Sequence, residues 1–352
     1  MLRRSALVVV FVLALAAAGT ALYRWVGVGY TSPGPARDVV RVEIASGSSI
    51  RSVLQLLGER GVLENPERVK LYLRLHGRSP RLKAGTYDFP ARASPAQVLT
   101  LLEQGAVVLE QLTVVEGSTF SDFRHALEHH PAVVAIFAGK SDAELMKAIG
   151  HAGEHPEGRF FPDTYRFAAH TSEADILKLA YGSLERVLTD AWREHRPDST
   201  ISTPYEALTL ASIVEKETGL PAERARIAGV FAARLRQGMR LQSDPTVIYG
   251  LGASYDGDIH TRDLTTDTPY NTYTRAGLPP TPVALPGRES ILAAVHPEDT
   301  GALYFVAVGD GSGAHYFSKT LEEHNEAVRR YLARLRSQQP SITHTTTVAG
   351  KK

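Results

Sequence analysis

Between Ala6 and Leu22 the chain is apolar without a charge, and from Val40 onward its apolar positions recur in two rhythms. Val40, Val42 and Ile44 alternate as in a half-buried strand, Gly47 to Ser49 make a turn, and Ile50, Val53, Leu54 and Leu57 return at helical spacing. Asn65 and Pro66 start a second helix, with Val69, Tyr72 and Leu73 inward, and Gly77 stops it. Gly85 to Phe89 alternates again, and Ser94-Pro95-Ala96-Gln97 caps a third helix that ends at Gly105. Leu112 to Leu127 repeats the order strand, Gly-Ser-Thr turn, helix. The two helices differ in apolar spacing, which favours a common strand-turn-helix unit over a degenerate repeat. From Asp142 to Arg196 the pattern is mostly helical, interrupted by the Gly158 to Asp163 loop.

The second half holds the most informative stretch, Thr209 to Gly219. Thr203, Pro204 and Glu206 open its helix as N-cap, first-turn proline and capping-box acid, and Gly219 with Pro221 closes it. At about 100° per residue Leu210, Ile213 and Val214 share a face, and Glu217 projects from the middle of it, with Glu215 roughly 160° away. A carboxylate held against apolar packing loses solvation and its pKa rises, so Glu217 reads as a general acid. The competing reading is a helix-end Glu that reaches solvent or pairs with a later Arg. Another helix runs from Ala222 to Gln237, and Asp244-Pro245 starts a short helical turn. Asp263 to Pro286 is rich in Thr, Tyr, Asn and Pro, too polar for a core and too long for an idle connection. Leu303 to Val308 and Ala314 to Ser318 flank Gly309 to Gly313 as a hairpin, with His315 on its second strand, and Thr320 with Glu323 caps a last helix.

Composition narrows the classes. The 352 residues are 43% hydrophobic and 22% charged, enough for more than one core, and 39 basic against 38 acidic residues leave a formal net charge of +1. Such a balance gives no global field for nucleic acid or anionic lipid, and a neutral polymer fits better. The absence of cysteine excludes disulfides, thiolate metal sites, a cysteine nucleophile and a lipid-modified cysteine. His125 and His129 have metal spacing but lack a third ligand nearby, so no metal is expected. Neither a glycine-rich phosphate loop nor a Gly-x-Ser-x-Gly elbow is present. The apolar run after Arg3 and Arg4, followed by Tyr23, Arg24 and Trp25, is either a membrane anchor or a cleaved signal peptide, and its aromatic and basic flank favours the anchor. Both readings carry the remainder across the membrane.

The motifs FPDTY (Phe161 to Tyr165), TLASIVEKETG (Thr209 to Gly219), GMRLQSDPTVIYG (Gly238 to Gly250), PYNTY (Pro269 to Tyr273), GLPP (Gly277 to Pro280) and the late His296-Pro297 resemble, in order and spacing, the YceG-like family of endolytic murein transglycosylases. The resemblance runs from about residue 40 to about 336. It implies cleavage inside peptidoglycan glycan strands next to MurNAc, leaving 1,6-anhydro ends, by a chain anchored in the inner membrane with its bulk periplasmic. The second Glu of the Glu-Lys-Glu run is the catalytic residue in that family, which matches Glu217. No cofactor is implied. The implied partners are glycan strands, the membrane and, in the cell, peptidoglycan synthases.

The fold class expected is α+β: a transmembrane helix with its flank (1–30), a linker (31–38), a small module (39–106), a mostly helical insertion (107–200), a mixed α/β catalytic domain (201–336) and a polar tail (337–352). Strand, two helices and strand in 39–106 resemble a LysM-like glycan-binding module, against the alternative of an adaptor without ligand. Phe160 and Phe161 suit either sugar stacking or a core plug. Gln242, Asp244, Tyr270, Asn271, Tyr273 and His315 are the candidates for holding substrate. Asp244 is either a second acid that stabilises an oxocarbenium-like state or a helix cap. Two rival functions are a non-catalytic peptidoglycan-binding scaffold and a pyridoxal-dependent lyase using Lys216. The second lacks a phosphate cup.

Overall fold

The computed structural model describes residues 2–195 and 200–338. They form, in order, α1 (Leu2–Thr31), β1 (Val40–Ile44), α2 (Ile50–Glu59), α3 (Pro66–Leu75), β2 (Gly85–Phe89), α4 (Pro95–Gln104), β3 (Leu109–Thr113), α5 (Phe120–Glu128), β4 (Val133–Val134), α6 (Asp142–Ile149), β5 (Thr164–Ala168), β6 (Thr171–Ser172) and α7 (Glu173–Arg193). After these come α8 (Pro204–Glu217), α9 (Arg224–Arg236), α10 (Asp244–Leu251), α11 (Thr261–Thr265), α12 (Arg288–Val295), β7 (Tyr304–Ala307), β8 (His315–Ser318) and α13 (Leu321–Gln338). The chain divides into two compact units, Met1–Gln111 with Arg166–Thr171, and Leu112–Tyr165 with Ser172–Lys352. The chain passes from one to the other within β3, β5 and β6, the last two lying in the stretch expected to be mostly helical.

In the first unit β1 and β2 pair antiparallel, Val42 opposite Tyr87 and Ile44 opposite Gly85. Their alternation puts Val42, Ile44, Tyr87 and Phe89 inward, where they meet Leu54 and Leu57 of α2, Leu73 of α3 and Leu99 of α4. Ser49, Asn65 and Ser94 each accept a backbone N–H of their helix's first turn; Asn65 and Ser94 are the residues that signal those starts, and Ser49, expected in a turn, is a cap as well. Of the expected linker 31–38, Thr31 ends α1 and the rest is tied to the unit: Gly34 donates to the Arg92 carbonyl at 3.1 Å, and Arg92 donates back to Ala36 at 2.8 Å. A Cβ at Gly34 would stand 2.4 Å from the Ala93 carbonyl, so only glycine permits that approach. Helix α1 is long and apolar enough over Leu7–Thr31 to cross a membrane.

The second unit is built around α8. Every residue from Ala207 to Val214 is buried, packed by α7, α9, α10 and α12. The helix therefore has no solvent face over these turns, and the single apolar face inferred from its period was too narrow. Its two polar residues are satisfied locally: Thr209 donates to the Tyr205 carbonyl, and Ser212 donates to Thr209 O while accepting Val283 N–H at 2.9 Å. Phe160 is fully buried among Phe120, Phe123 and Tyr181, so of the two adjacent phenylalanines this one is core. Phe161 is half-buried against the α8 core.

Candidate active site

Beyond Val214 the last turn of α8 leaves the core, and it ends on Glu217. Three later segments close around that carboxyl. Helix α9 supplies Arg234; the turn after it supplies Leu241, Gln242 and Ser243, with Asp244 opening α10; and the loop before α12 supplies Tyr273. With Phe305 of β7 and His324 of α13, Glu217, Arg234, Leu241, Gln242, Asp244 and Tyr273 line a cleft of about 320 Å³.

The turn that presents these groups is held by buried hydroxyls. Ser243 N–H donates to Thr272 Oγ1 at 3.0 Å, Thr246 Oγ1 donates to the Ser243 carbonyl at 2.7 Å, and the two threonine hydroxyls lie 2.9 Å apart. Ser243 is the N-cap of α10, yet its hydroxyl makes no cap bond. It donates instead to Glu217 Oε1 at 2.5 Å. The preceding residue, Gln242, has φ of 53°, a left-handed backbone that a non-glycine side chain adopts only when its surroundings impose it. Its N–H goes to Thr272 O and its side-chain oxygen lies 3.5 Å from Arg234 Nη1. Tyr273 donates its hydroxyl to Asp244 Oδ1 at 2.6 Å.

Electrostatics at the cleft favour a protonated acid. Burial, the largest cause, and the neighbouring Asp244 push Glu217 up to about 7, while the Ser243 hydrogen bond and Arg234 pull the other way. Its place as the last residue of α8 adds to this, since the helix C-terminus is the negative end of the dipole. Arg234 is 8% exposed and spends its donors on the carbonyls of Leu303 and Leu241, both at 2.7 Å. Burial lowers the pKa of His324, helped by Arg234. Its Nδ1 is buried without a hydrogen-bond partner among the described residues.

The fold thus gathers Gln242, Asp244 and Tyr273 around Glu217 and leaves three other candidates outside the cleft lining. Asn271 is 1% exposed, its amide donating to the carbonyls of Asp263, Leu264 and Thr266 and its oxygen accepting Tyr273 N–H. Its side chain is consumed in building the loop. Tyr270 bonds Thr281 and packs its ring edge-on to Tyr249. His315 faces Glu223, which takes both its ring Nδ1 at 2.7 Å and its backbone N–H. Asp244 is the first helical residue rather than the N-cap, which is Ser243. Glu215, placed by helical geometry away from Glu217, is also buried: it accepts Gly287 N–H at 2.9 Å at the start of α12 and pairs with Arg224. Lys216 donates to the Gly117 carbonyl.

Sequence reasoning missed Ser243, Arg234 and His324. Ser243 was hidden by its neighbour, because Asp-Pro is a common helix start. Arg234 sits on a helix read for its apolar stripe, where an interior Arg flanked by apolar residues was the available signal.

The YceG-like family pattern matches residues 42–330. The chain belongs to the YceG-like family. An endolytic murein transglycosylase of Bacillus subtilis (strain 168) is 31% identical over 315 residues, covering 84% of this chain and 86% of that protein. A relative of the same description from Streptococcus pneumoniae (D39) is 27% identical over 328 residues, and the chain spans 59% of its length. A crystal structure of a YceG-like protein from Listeria monocytogenes superposes with a TM-score of 0.52 at 29% identity, covering 82% of this chain and 99% of that one. YceG-like membership accounts for the motif order read along the sequence, and Leu241, Gln242, Ser243, Asp244 and Tyr273, which close on Glu217, lie in those motifs.

Proposed function

We propose that the protein is an endolytic murein transglycosylase that cuts the MurNAc-GlcNAc bond within nascent glycan strands and so limits their length. The observation that carries this reading is Glu217, a carboxyl lifted to about 7 at the wall of a polar cleft and held on one oxygen by a buried serine. In the first step protonated Glu217 gives its proton to the glycosidic oxygen, the bond from MurNAc C1 to that oxygen breaks with its electron pair leaving on oxygen, and GlcNAc departs. In the second, Glu217 as carboxylate takes the proton of the MurNAc C6 hydroxyl while that oxygen bonds C1. The carboxyl ends as it began, no water is consumed, and the product is a 1,6-anhydro sugar. Intramolecular attack carries a large entropic advantage over water if the sugar is held in place.

Ser243 positions the acid in this scheme. By occupying Oε1 it leaves Oε2 to carry the proton, and by stabilising the carboxylate it keeps the pKa low enough for the second step. Asp244, locked by Tyr273, stands where a fixed negative charge lowers the energy of an oxocarbenium-like sugar. Gln242 offers a polar contact to the sugar, and Arg234 holds the turn that presents it. The first unit's strand-helix-helix-strand core supports a LysM-like, glycan-holding role, and α1 supports a single-pass anchor with the remainder outside the cytoplasm.

The test is a pH–rate profile on purified glycan strands. Turnover that needs protonated Glu217 falls tenfold per pH unit above about 7. A rate that is flat to pH 9, or unchanged in Glu217→Gln, contradicts the assignment.

A further inference from the structure

Helix α1 continues past the point where a bilayer would release it. It is exposed from Leu7 to Trp25, whereas Val26 and Tyr30 are buried against the first unit. Packed protein excludes lipid there, so hydrocarbon is left with Leu7 to Arg24. That is about 18 residues, or roughly 27 Å at the helical rise, close to the thickness of a bilayer core. The first unit begins where the bilayer ends.

Helix α3 packs on the same stretch. Arg68 donates to the Trp25 carbonyl and covers the indole at 4.3 Å, Tyr72 stacks on Tyr30 at 3.7 Å, and His76 stacks on Tyr23 at 5.5 Å with the phenol oxygen 3.2 Å from Nε2. The C-terminal end of α3 therefore comes down to the level of Tyr23, within the stretch left to the bilayer boundary. Arg74, Leu75 and His76 are exposed at that end, Leu75 by 49%. From Arg68 to Lys83 the chain carries Arg68, Lys70, Arg74, Arg78, Arg81 and Lys83 and no acid. Lys70 and Arg78 are paired with Glu67 and Glu103, while Arg81 and Lys83 stand exposed on the segment after α3.

We propose that the C-terminal end of α3 rests on the membrane, with Leu75 in the interfacial layer and Arg74 and Arg81 on the headgroups of anionic phospholipids. An apolar residue flanked by long basic side chains suits that layer, where the leucine leaves water and the guanidinium groups stay among phosphates. The unit is then fixed to the bilayer at two places, α1 and α3, and does not swivel on a single anchor. The inference rests on reading α1 as a membrane span.

The chain has no cysteine, so single labels are unambiguous. Full-length Leu75→Cys, Glu64→Cys and Val12→Cys proteins, each carrying an environment-sensitive fluorophore, are placed in nanodiscs containing nitroxide-bearing lipid. Glu64 lies just before the N-cap at the other end of α3, a helix of ten residues that is about 15 Å long. The expected result is strong quenching at position 12, strong quenching at 75 with anionic lipid, and little at 64. Changing Arg74 and Arg81 to Glu, or using zwitterionic lipid alone, should reduce quenching at 75 at least twofold. Quenching at 12 without any at 75, or equal quenching at 64 and 75, overturns the proposal and leaves the anchor intact. Quenching at 75 that is indifferent to lipid charge and to the Arg changes overturns the headgroup assignment. Absence of quenching at 12 removes the anchor, and this proposal with it.

Discussion

A carboxyl pushed to about 7 has consequences for stability as well as rate. Glu217 binds its proton more tightly in the folded chain than in the unfolded one, so the native state is favoured at low pH and loses that advantage as pH rises from about 4.5 to about 7. Glu217→Gln removes the titration, and its Tm should exceed that of the parent at pH 8 while matching it near pH 5; a lower Tm at pH 8 would show that the carboxylate is stabilised by partners. Ser243→Ala deletes the bond that favours the charged form. The alkaline limb of the rate profile should then move to higher pH, with kcat reduced about tenfold because the acid loses its fixed orientation, and Ser243→Thr should restore both. A serine that only supports the turn would change kcat without moving the limb. Glu215→Gln should act differently: with Gly287 N–H and Arg224 as partners, its cost of about 1–3 kcal/mol falls on stability, measured by denaturant melts, and the pH limb stays where it is.

At the scale of elements, the loop before α12 depends on one buried amide. Asn271→Ala strips the donor from three loop carbonyls and the acceptor from Tyr273 N–H, so a loss of about 1–3 kcal/mol is expected, together with a fall in activity as Tyr273 releases Asp244. Thermal melts and KM on glycan strands check this, and a normal melt with raised KM would return Asn271 to the substrate. The same loop shows why part of the site was legible and part was not. Capping signals at Asn65, Ser94 and Thr203 are local, and each marked a real helix start. Glu217 was legible because its spacing along α8 and the motif around it pointed to one residue. The role of His315 depends on Glu223, far away in the chain, and those of Tyr270 and Asn271 on how an irregular loop folds back on itself, and no local period announces either. Nor could helical geometry reveal that α8 is enclosed on all sides, since burial is decided by the helices that arrive later.

Over the whole molecule, the units separate holding from cutting in our reading. Deleting residues 40–104 should weaken sedimentation with polymeric peptidoglycan several-fold while leaving slow cleavage of short soluble glycans. A folded deletion protein that cleaves nothing, even at saturating short glycan, would assign the first unit a part in shaping the site. The polar tail expected at 337–352 lies almost entirely outside the described residues. Net charge near zero suits a glycan substrate, and in our proposal the charge that meets the membrane is local, in the run from Arg68 to Lys83.

The claim that one carboxyl performs both proton transfers without water is tested most directly by digesting purified glycan strands in ¹⁸O-labelled water and weighing the new ends by mass spectrometry. The account predicts 1,6-anhydroMurNAc ends, lighter by one water than hydrolytic ends and free of the label, with total cleavage falling about 100-fold to 10,000-fold in Glu217→Gln and no reducing ends taking their place. Labelled reducing ends from the parent enzyme, or anhydro ends released at the parent rate by a folded Glu217→Gln protein, would contradict it.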